Sequence, residues 1–566
     1  MQNRSNSFEV QSYDGKRWLT ESLFDSEQEA RGLCASMLRG GKAGVRILKE
    51  TSRGDDTREN VIYTEMRAPG KENIRVMEVE SAPICERAED MYNRLSRLTA
   101  FRLLRQYFEK VLLTPTEVLH NYKEFMRLQD FGTLCMSAVG RVASLQAAGA
   151  SMDQVTARRN TLNEYINAAA EKARVAAQRK LPDLQLEDFA SAVRRIEAAI
   201  PDRTDSNHLA LVVLSKELVN RRNWLGKLEY LLKQLETTRE SSTVTLLDGV
   251  IADVLNSPEC VQDLLGRQTD LLSALCTLVD ILEGRKRAEE VPEPGMAEAL
   301  SLQFEQGILP QGREALLDFV IRQVRGNAKL NHGDMAAHLA GYRKLAGRLL
   351  LPSGLIGGPA MAEAMALGYG RFLEQGGAVG KRLGIEGAAR AFETLTDSVR
   401  YLLILAQSDL GREQAQMLLD FLVQSVTSQE GLDRLVSKNL PLKTRLRQIS
   451  DVYEMLRDSA LPEPQRSQLA DKFDDMLAQY IVREKIIERL DDPKASLRVR
   501  ATMLVQFLAS NVLSGQKAVA MSRDRVISHL RQPEFEKKFI ADIPDPSQQA
   551  TALRDFHSLL RTAGLG

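Results

Sequence analysis

The residues nearest to a known chemical pattern are Gln375-Gly376-Gly377-Ala378-Val379-Gly380-Lys381-Arg382. A glycine-rich turn that ends in Gly-Lys can cradle phosphates on its backbone N–H groups. The phosphate-binding loop requires Gly, four residues, Gly, Lys and then Ser or Thr. Gln375 occupies the first position and Arg382 the last, so the hydroxyl that would hold magnesium is missing. The segment also lies between helical stretches and follows no strand, so it reads as a helix–helix connection. Of the six histidines, His120, His208, His332, His338, His529 and His557, only His332-Gly333-Asp334 and His338 cluster. A helical metal pair requires spacing of four. A spacing of six turns the two rings to different faces, and Asp334 reads as a first-turn residue that favours the helix dipole.

The adjacent carboxylates Glu289-Glu290, Asp474-Asp475 and Asp491-Asp492 point apart on a helix, so they do not converge on one substrate atom. They read as solvated faces or helix ends. Cys34, Cys85, Cys135, Cys260 and Cys276 are odd in number and contain no C-x-x-C pair, which excludes a disulfide framework or zinc module and suits a reducing cytoplasm. No nucleophile elbow, kinase signature or dinucleotide fingerprint occurs. The sequence therefore gives no reason to expect an enzyme, a cofactor or a metal.

Charge and hydropathy exclude further classes. The 566 residues carry 76 Lys+Arg against 76 Asp+Glu, a formal net charge of +0, which argues against a nucleic-acid-coating protein. Lys172, Arg174, Arg179 and Lys180 make one basic stretch, but Tyr165 is its only stacking aromatic, so it reads as a helix face paired with acidic neighbours. Met1–Gln11 lacks the basic patch and apolar run of a signal peptide. The most apolar stretch, Leu351–Tyr369, is broken by Pro352, Pro359 and Glu363, so membrane insertion is not expected.

Aromatics are only 5% and charged residues 27%, a composition that favours helix and packed structure. The predicted fold is predominantly α: a long multi-helix array or bundle behind a small N-terminal α/β module over 1–80. Phe8–Gln11 alternates as a strand does, Asp14-Gly15 makes a turn, and Arg17–Phe24 returns. Asp25 and Ser26 start a helix that Gly40-Gly41 stops, and Val45–Leu48 and Val61–Thr64 follow as strands around a Gly54-Asp55-Asp56 loop. This is a ββαββ pattern. Ile74–Val79 is either a further strand or an extended linker, and Ala68-Pro69-Gly70-Lys71 and Ala82-Pro83 mark a boundary near 68–85.

From Ala88 onward no strand is expected. Thr114-Pro115-Thr116-Glu117 is the clearest local signal: Thr114 caps, Pro115 fits the first helical position, and Glu117 reaches back. One helix should end near Leu112 and another begin at Pro115. Leu211, Leu218, Leu225 and Leu232 recur at seven, with Leu214, Leu228 and Leu235 three residues after a member of that set and Arg221 breaking it. This heptad register over a helix at 205–238 reads either as a self-association seam or as a hairpin paired with the segment near 152–180. Gly354–Gly370, rich in small residues and Met, reads as a tightly packed core helix. The charged stretch Glu283–Pro294 is the expected linker between helical segments at 86–282 and 295–566.

The expected function is a non-enzymatic scaffold or adaptor that binds a protein partner or self-associates. The alternative is a ligand-responsive cytoplasmic regulator that binds a small molecule between helices.

Overall fold

The computed structural model describes residues 5–13, 18–39, 42, 44–53, 56–66, 74–221, 223–286, 295–373, 377–427, 432–510 and 512–565. The chain divides into two units, Met1–Met77 and Glu78–Gly566. The fold is predominantly α, with a small α/β unit at the front.

In the first unit β1 (Ser5–Tyr13), β2 (Trp18–Phe24), a helix over Glu27–Arg39, β3 (Gly44–Arg53) and β4 (Asp56–Met66) form one antiparallel sheet in the order β2-β1-β3-β4. Alternation puts Phe8 and Val10 of β1 and Val45 and Ile47 of β3 on one face, where they bury against Ala30 and Cys34 of the helix. The opposite face carries Gln11, Tyr13, Trp18 and Arg46. Arg46 Nε donates to Gln11 Oε1 at 2.7 Å, and its guanidinium sits 4.5 Å from the Trp18 ring centre. The Asp14-Gly15 turn, the Gly40-Gly41 stop and Gly54-Asp55 lie outside the described residues, as do Pro69-Gly70-Lys71. Ile74–Val79 forms no strand.

In the second unit twenty-seven α-helices follow among the described residues, and helices pack mainly on others a few elements away in sequence. Pro115–His120 packs on Arg203–Leu218, Ser241–Leu255 on Pro310–Arg325, and Gly358–Phe372 on Gly377–Arg390. Toward the C-terminus Leu442–Arg457 packs on Glu463–Arg483, and Glu463–Arg483 on Gln516–Leu530. No described helix is long and apolar enough to cross a membrane.

Four expectations differ from what is observed. First, Leu350–Leu351 and Gly354–Leu355 pair as a short antiparallel hairpin in a stretch expected to hold no strand. Second, the continuous helix expected over 205–238 is two helices, Arg203–Leu218 and Trp224–Glu236. Asn223 caps the second by accepting from Gly226 N at 2.5 Å, and a side chain that bonds its own backbone in this way favours a new start over continuation. Third, the stretch around 283–294 does not separate two helical bodies. Gln311 N and Gly312 N, beyond it, donate to Asp248, before it, at 2.9 and 2.8 Å. Residues 287–294, including Glu289-Glu290, lie outside the described residues. Fourth, Ala82-Pro83 lies within the second unit, past the unit boundary at Met77/Glu78, which itself falls in the expected range 68–85.

Candidate functional site

The capping signal at Thr114 positions the site. Leu112 takes a left-handed backbone (φ 55°) and ends the helix Arg105–Val111. Thr114 then caps Pro115–His120, accepting from Glu117 N at 3.2 Å while Glu117 Oε2 accepts from Thr114 N at 2.8 Å. All six residues of this helix are buried. The free carboxylate oxygen of Glu117 accepts from the ammonium of Lys227, and both side chains are wholly enclosed. Burial pushes the Glu117 carboxyl up and the Lys227 ammonium down, and each charge opposes the other's shift. Thr116 Oγ1 donates to Asp253 Oδ2 at 2.6 Å, and Arg97 Nε donates to the same oxygen at 2.9 Å. Arg97 also donates to Tyr92 O at 2.5 Å and Gly249 O at 3.2 Å, so each of its three nitrogens has a partner.

This frame holds three rings in mutual contact. His120 ends the capped helix, and its Nδ1 donates to Thr116 O at 2.7 Å, which leaves Nε2 as a lone-pair acceptor. His208, from Arg203–Leu218, lies 4.7 Å from His120 between ring centres. Tyr92, from the short 3₁₀ turn Ala88–Tyr92, lies 5.4 Å from His120 and 5.6 Å from His208. Tyr92 Oη and His208 Nε2 are buried with no hydrogen-bond partner. Burial lowers both imidazoles, His208 to about 3, and raises the Tyr92 phenol to about 12. A cleft lined by His208, Lys172, Glu171 and Asp205 adjoins the rings. The Lys172 ammonium sits 5.6 Å from the Tyr92 ring centre and 3.6 Å from Asp205.

The same helices line a half-open apolar cavity of about 170 Å³. Its walls include Leu103, Leu104, Phe108, Val118, Leu119, Phe125, Ala138 and Leu162. One wall is the extended segment 82–86, strapped to the helices Leu134–Gln146 and Met152–Ala177. Gln146 Nε2 donates to Pro83 O, Arg158 Nη2 to Cys85 O at 2.5 Å, and Tyr165 Oη to Glu86 O. The thiols of Cys85 and Cys135 face this cavity, and burial pushes the Cys135 thiol up, away from the reactive thiolate.

The residues singled out by sequence have other partners. Leu214, Leu218, Leu228, Leu232 and Leu235 are buried in their own chain, and Leu211 and Leu225 are half-buried. Arg203–Leu218 packs chiefly against Pro115–His120 and Phe189–Ala199, with the 152–180 segment a lesser neighbour. Arg221 pairs with Glu217 at 2.6 Å. Lys381 and Arg382 lie within the helix Gly377–Arg390, paired to Glu413 at 2.6 Å and Glu386 at 2.9 Å, so neither awaits a phosphate. Gln375 and Gly376 lie outside the described residues. Asp334 caps the helix Met335–Leu349, and His338 Nδ1 accepts from Leu330 N at 3.1 Å while the ring stacks on Phe372. Asp474 caps Gln516–Leu530, accepting from Lys517 N at 2.9 Å. On the helix Gly358–Phe372, a Cβ at Gly368 would stand 2.0 Å from Val324 O, so glycine there permits direct backbone contact.

Sequence reasoning missed Tyr92, His120 and His208, because three distant segments supply them. The one local signal was His120 at the end of the strongest capping motif. Comparison with protein-family models, with curated proteins and with solved structures finds no match.

Proposed function

We propose that the helical unit is a receptor for a small apolar molecule held in the cavity beneath the 82–86 strap, and that the chain acts by binding and not by catalysis. The cavity carries this reading. An apolar cavity of about 150 Å³ stays dry and binds benzene or xenon, and the cavity here measures about 170 Å³. Its only ionisable wall group besides the two thiols is Arg97, each of whose three nitrogens donates to a protein oxygen. A ligand there meets apolar walls and no free acid, base or activated nucleophile.

Thermal denaturation of the full chain with toluene, indole and butylbenzene tests it. Binding to the folded state alone stabilises by about 2.7 kcal/mol at a hundredfold excess over Kd. At least one of these compounds should raise Tm by several degrees, and Ala138→Leu should abolish the rise. No shift with any of them, or a shift that Ala138→Leu leaves intact, contradicts the reading.

The adaptor reading is favoured by a separate observation. The sheet face of the first unit opposite its helix carries Tyr13, Trp18 and Arg46, and Leu23 and Val61 on the same sheet are 63% and 53% exposed. An open face of this mixed kind suits a protein partner. Trp18→Ser with Leu23→Ser should release any stoichiometric partner that co-purifies with the full chain while leaving the unfolding midpoint of the helical unit unchanged.

A further inference from the structure

We propose that Tyr92, His120 and His208 form a three-donor site for one divalent ion of the copper or zinc class, with the fourth position open to water. Among the described residues no group of three His, Cys, Asp or Glu side chains could hold a metal. Here the third donor is a phenol.

Two imidazoles bound to one ion at about 2.0–2.1 Å place their ring centres about 5 Å apart, and these two lie 4.7 Å apart. The Tyr92 ring stands edge-on at 5.4 and 5.6 Å from them. The donor atoms are otherwise idle. Tyr92 Oη and His208 Nε2 are buried and unpartnered, a cost that native structures seldom leave without a reason. His120 Nε2 is the lone-pair nitrogen because Nδ1 donates to Thr116 O.

That bond is the outer-shell contact that orients a ligating histidine. It is itself fixed by the bond from Thr116 Oγ1 to Asp253. Of the cations nearby, Arg97 pairs with Asp253 at 2.9 Å and Lys172 with Asp205 at 3.6 Å, and Arg179 also lines the adjoining cleft. The cleft that His208 lines gives a path from solvent, and its two acids, Glu171 and Asp205, are matched by Lys172 and Arg179. Two nitrogens and a phenolate suit copper or zinc better than calcium or magnesium, which take oxygen donors. Binding replaces the phenolic proton, which leaves to solvent as the oxygen–metal bond forms, and no electrons are transferred.

The test titrates the metal-free full-length chain with Cu²⁺, following heat and visible absorption. The expected result is one equivalent bound and a phenolate-to-copper charge-transfer band. Tyr92→Phe should abolish the band and weaken binding by about tenfold or more, and His208→Gln should weaken it by about 100-fold. Cu²⁺ should displace bound Zn²⁺, in line with the affinity order of divalent ions at nitrogen and oxygen donors. Tyr92→Phe removes one oxygen and keeps the ring, so the band decides the matter even if His208→Gln fails to fold. A single water could bridge the same three atoms. In that case no stoichiometric copper is bound, and the proposal falls. It falls equally if copper binds without the band, or binds as tightly to His208→Gln as to the parent. The apolar cavity is a separate volume, and its ligand test stands or fails independently of this one.

Discussion

Two buried imidazole networks in the helical unit use similar residue types and reach opposite states. Around Asp491, His529 Nε2 donates to the carboxylate at 2.8 Å, and His529 Nδ1 accepts from Gln532 Nε2 at 2.9 Å. Arg500 Nε donates to Asp491 at 2.6 Å, and Arg525 donates to its other oxygen. Burial alone would raise the Asp491 carboxyl, but the bonds from Arg500, Arg525 and His529 outweigh it and hold it below its ordinary value. Every ring nitrogen there has a partner. Around His120 and His208, buried donors and acceptors are left over. A saturated network fixes helices against each other, here Leu497–Ala509 and Gln516–Leu530 behind Asp491. An unsaturated one costs stability and stands ready for something not supplied by the chain. The same unsaturated region borders the apolar cavity, whose walls also include Met91, Arg97 and Pro115.

Substitutions should separate the two networks by sign as well as size. The largest effect is expected at Lys227→Met, beneath the open cluster. It leaves Glu117 charged and alone in the core and should cost about 3–5 kcal/mol in urea denaturation. A cost below 1 kcal/mol would mean that Glu117 takes up a proton at little expense.

Asp491→Asn comes next. Removing a charged acceptor from three donors should cost about 2–3 kcal/mol. The depressed carboxyl contributes stability that is present above its unfolded value of about 3.9 and is lost as pH falls through the folded value. Below pH ~4 the parent should therefore lose stability that the Asn variant no longer has to lose, and the two acid-denaturation curves should converge. Parallel curves would show that Asp491 does not titrate in that window.

Tyr92→Phe should have the smallest effect, within about 1 kcal/mol and toward greater stability, because it removes a buried hydroxyl that has no partner. A loss of 2 kcal/mol would place a bound partner on that hydroxyl in the purified chain.

Much of the architecture was legible because it rests on local rules. Alternation at Phe8–Gln11, the helix start at Asp25-Ser26 and the Thr114–Glu117 box each specify an element without help from distant residues. The Leu211–Leu235 register misled for a physical reason. Leucine at seven-residue spacing fits one helix or two, and Asn223 decided for two, through a cap that bonds its own backbone. Lys227 was hidden by its type: a lysine on an apolar helix reads as solvated, and only the approach of Glu117 from another helix allows its burial. The Tyr92–His120–His208 cluster was illegible in principle. No spacing rule links a 3₁₀ turn, a six-residue helix and a residue far down the chain.

The measurement that bears most directly on the central claim is the structure of crystals of the full chain under xenon pressure. The account predicts a xenon atom in the cavity between Leu103, Phe108, Val118 and Leu162, with the 82–86 strap still hydrogen-bonded to Gln146 and Arg158. A cavity closed by its own side chains, or filled with ordered water and free of xenon, would contradict it.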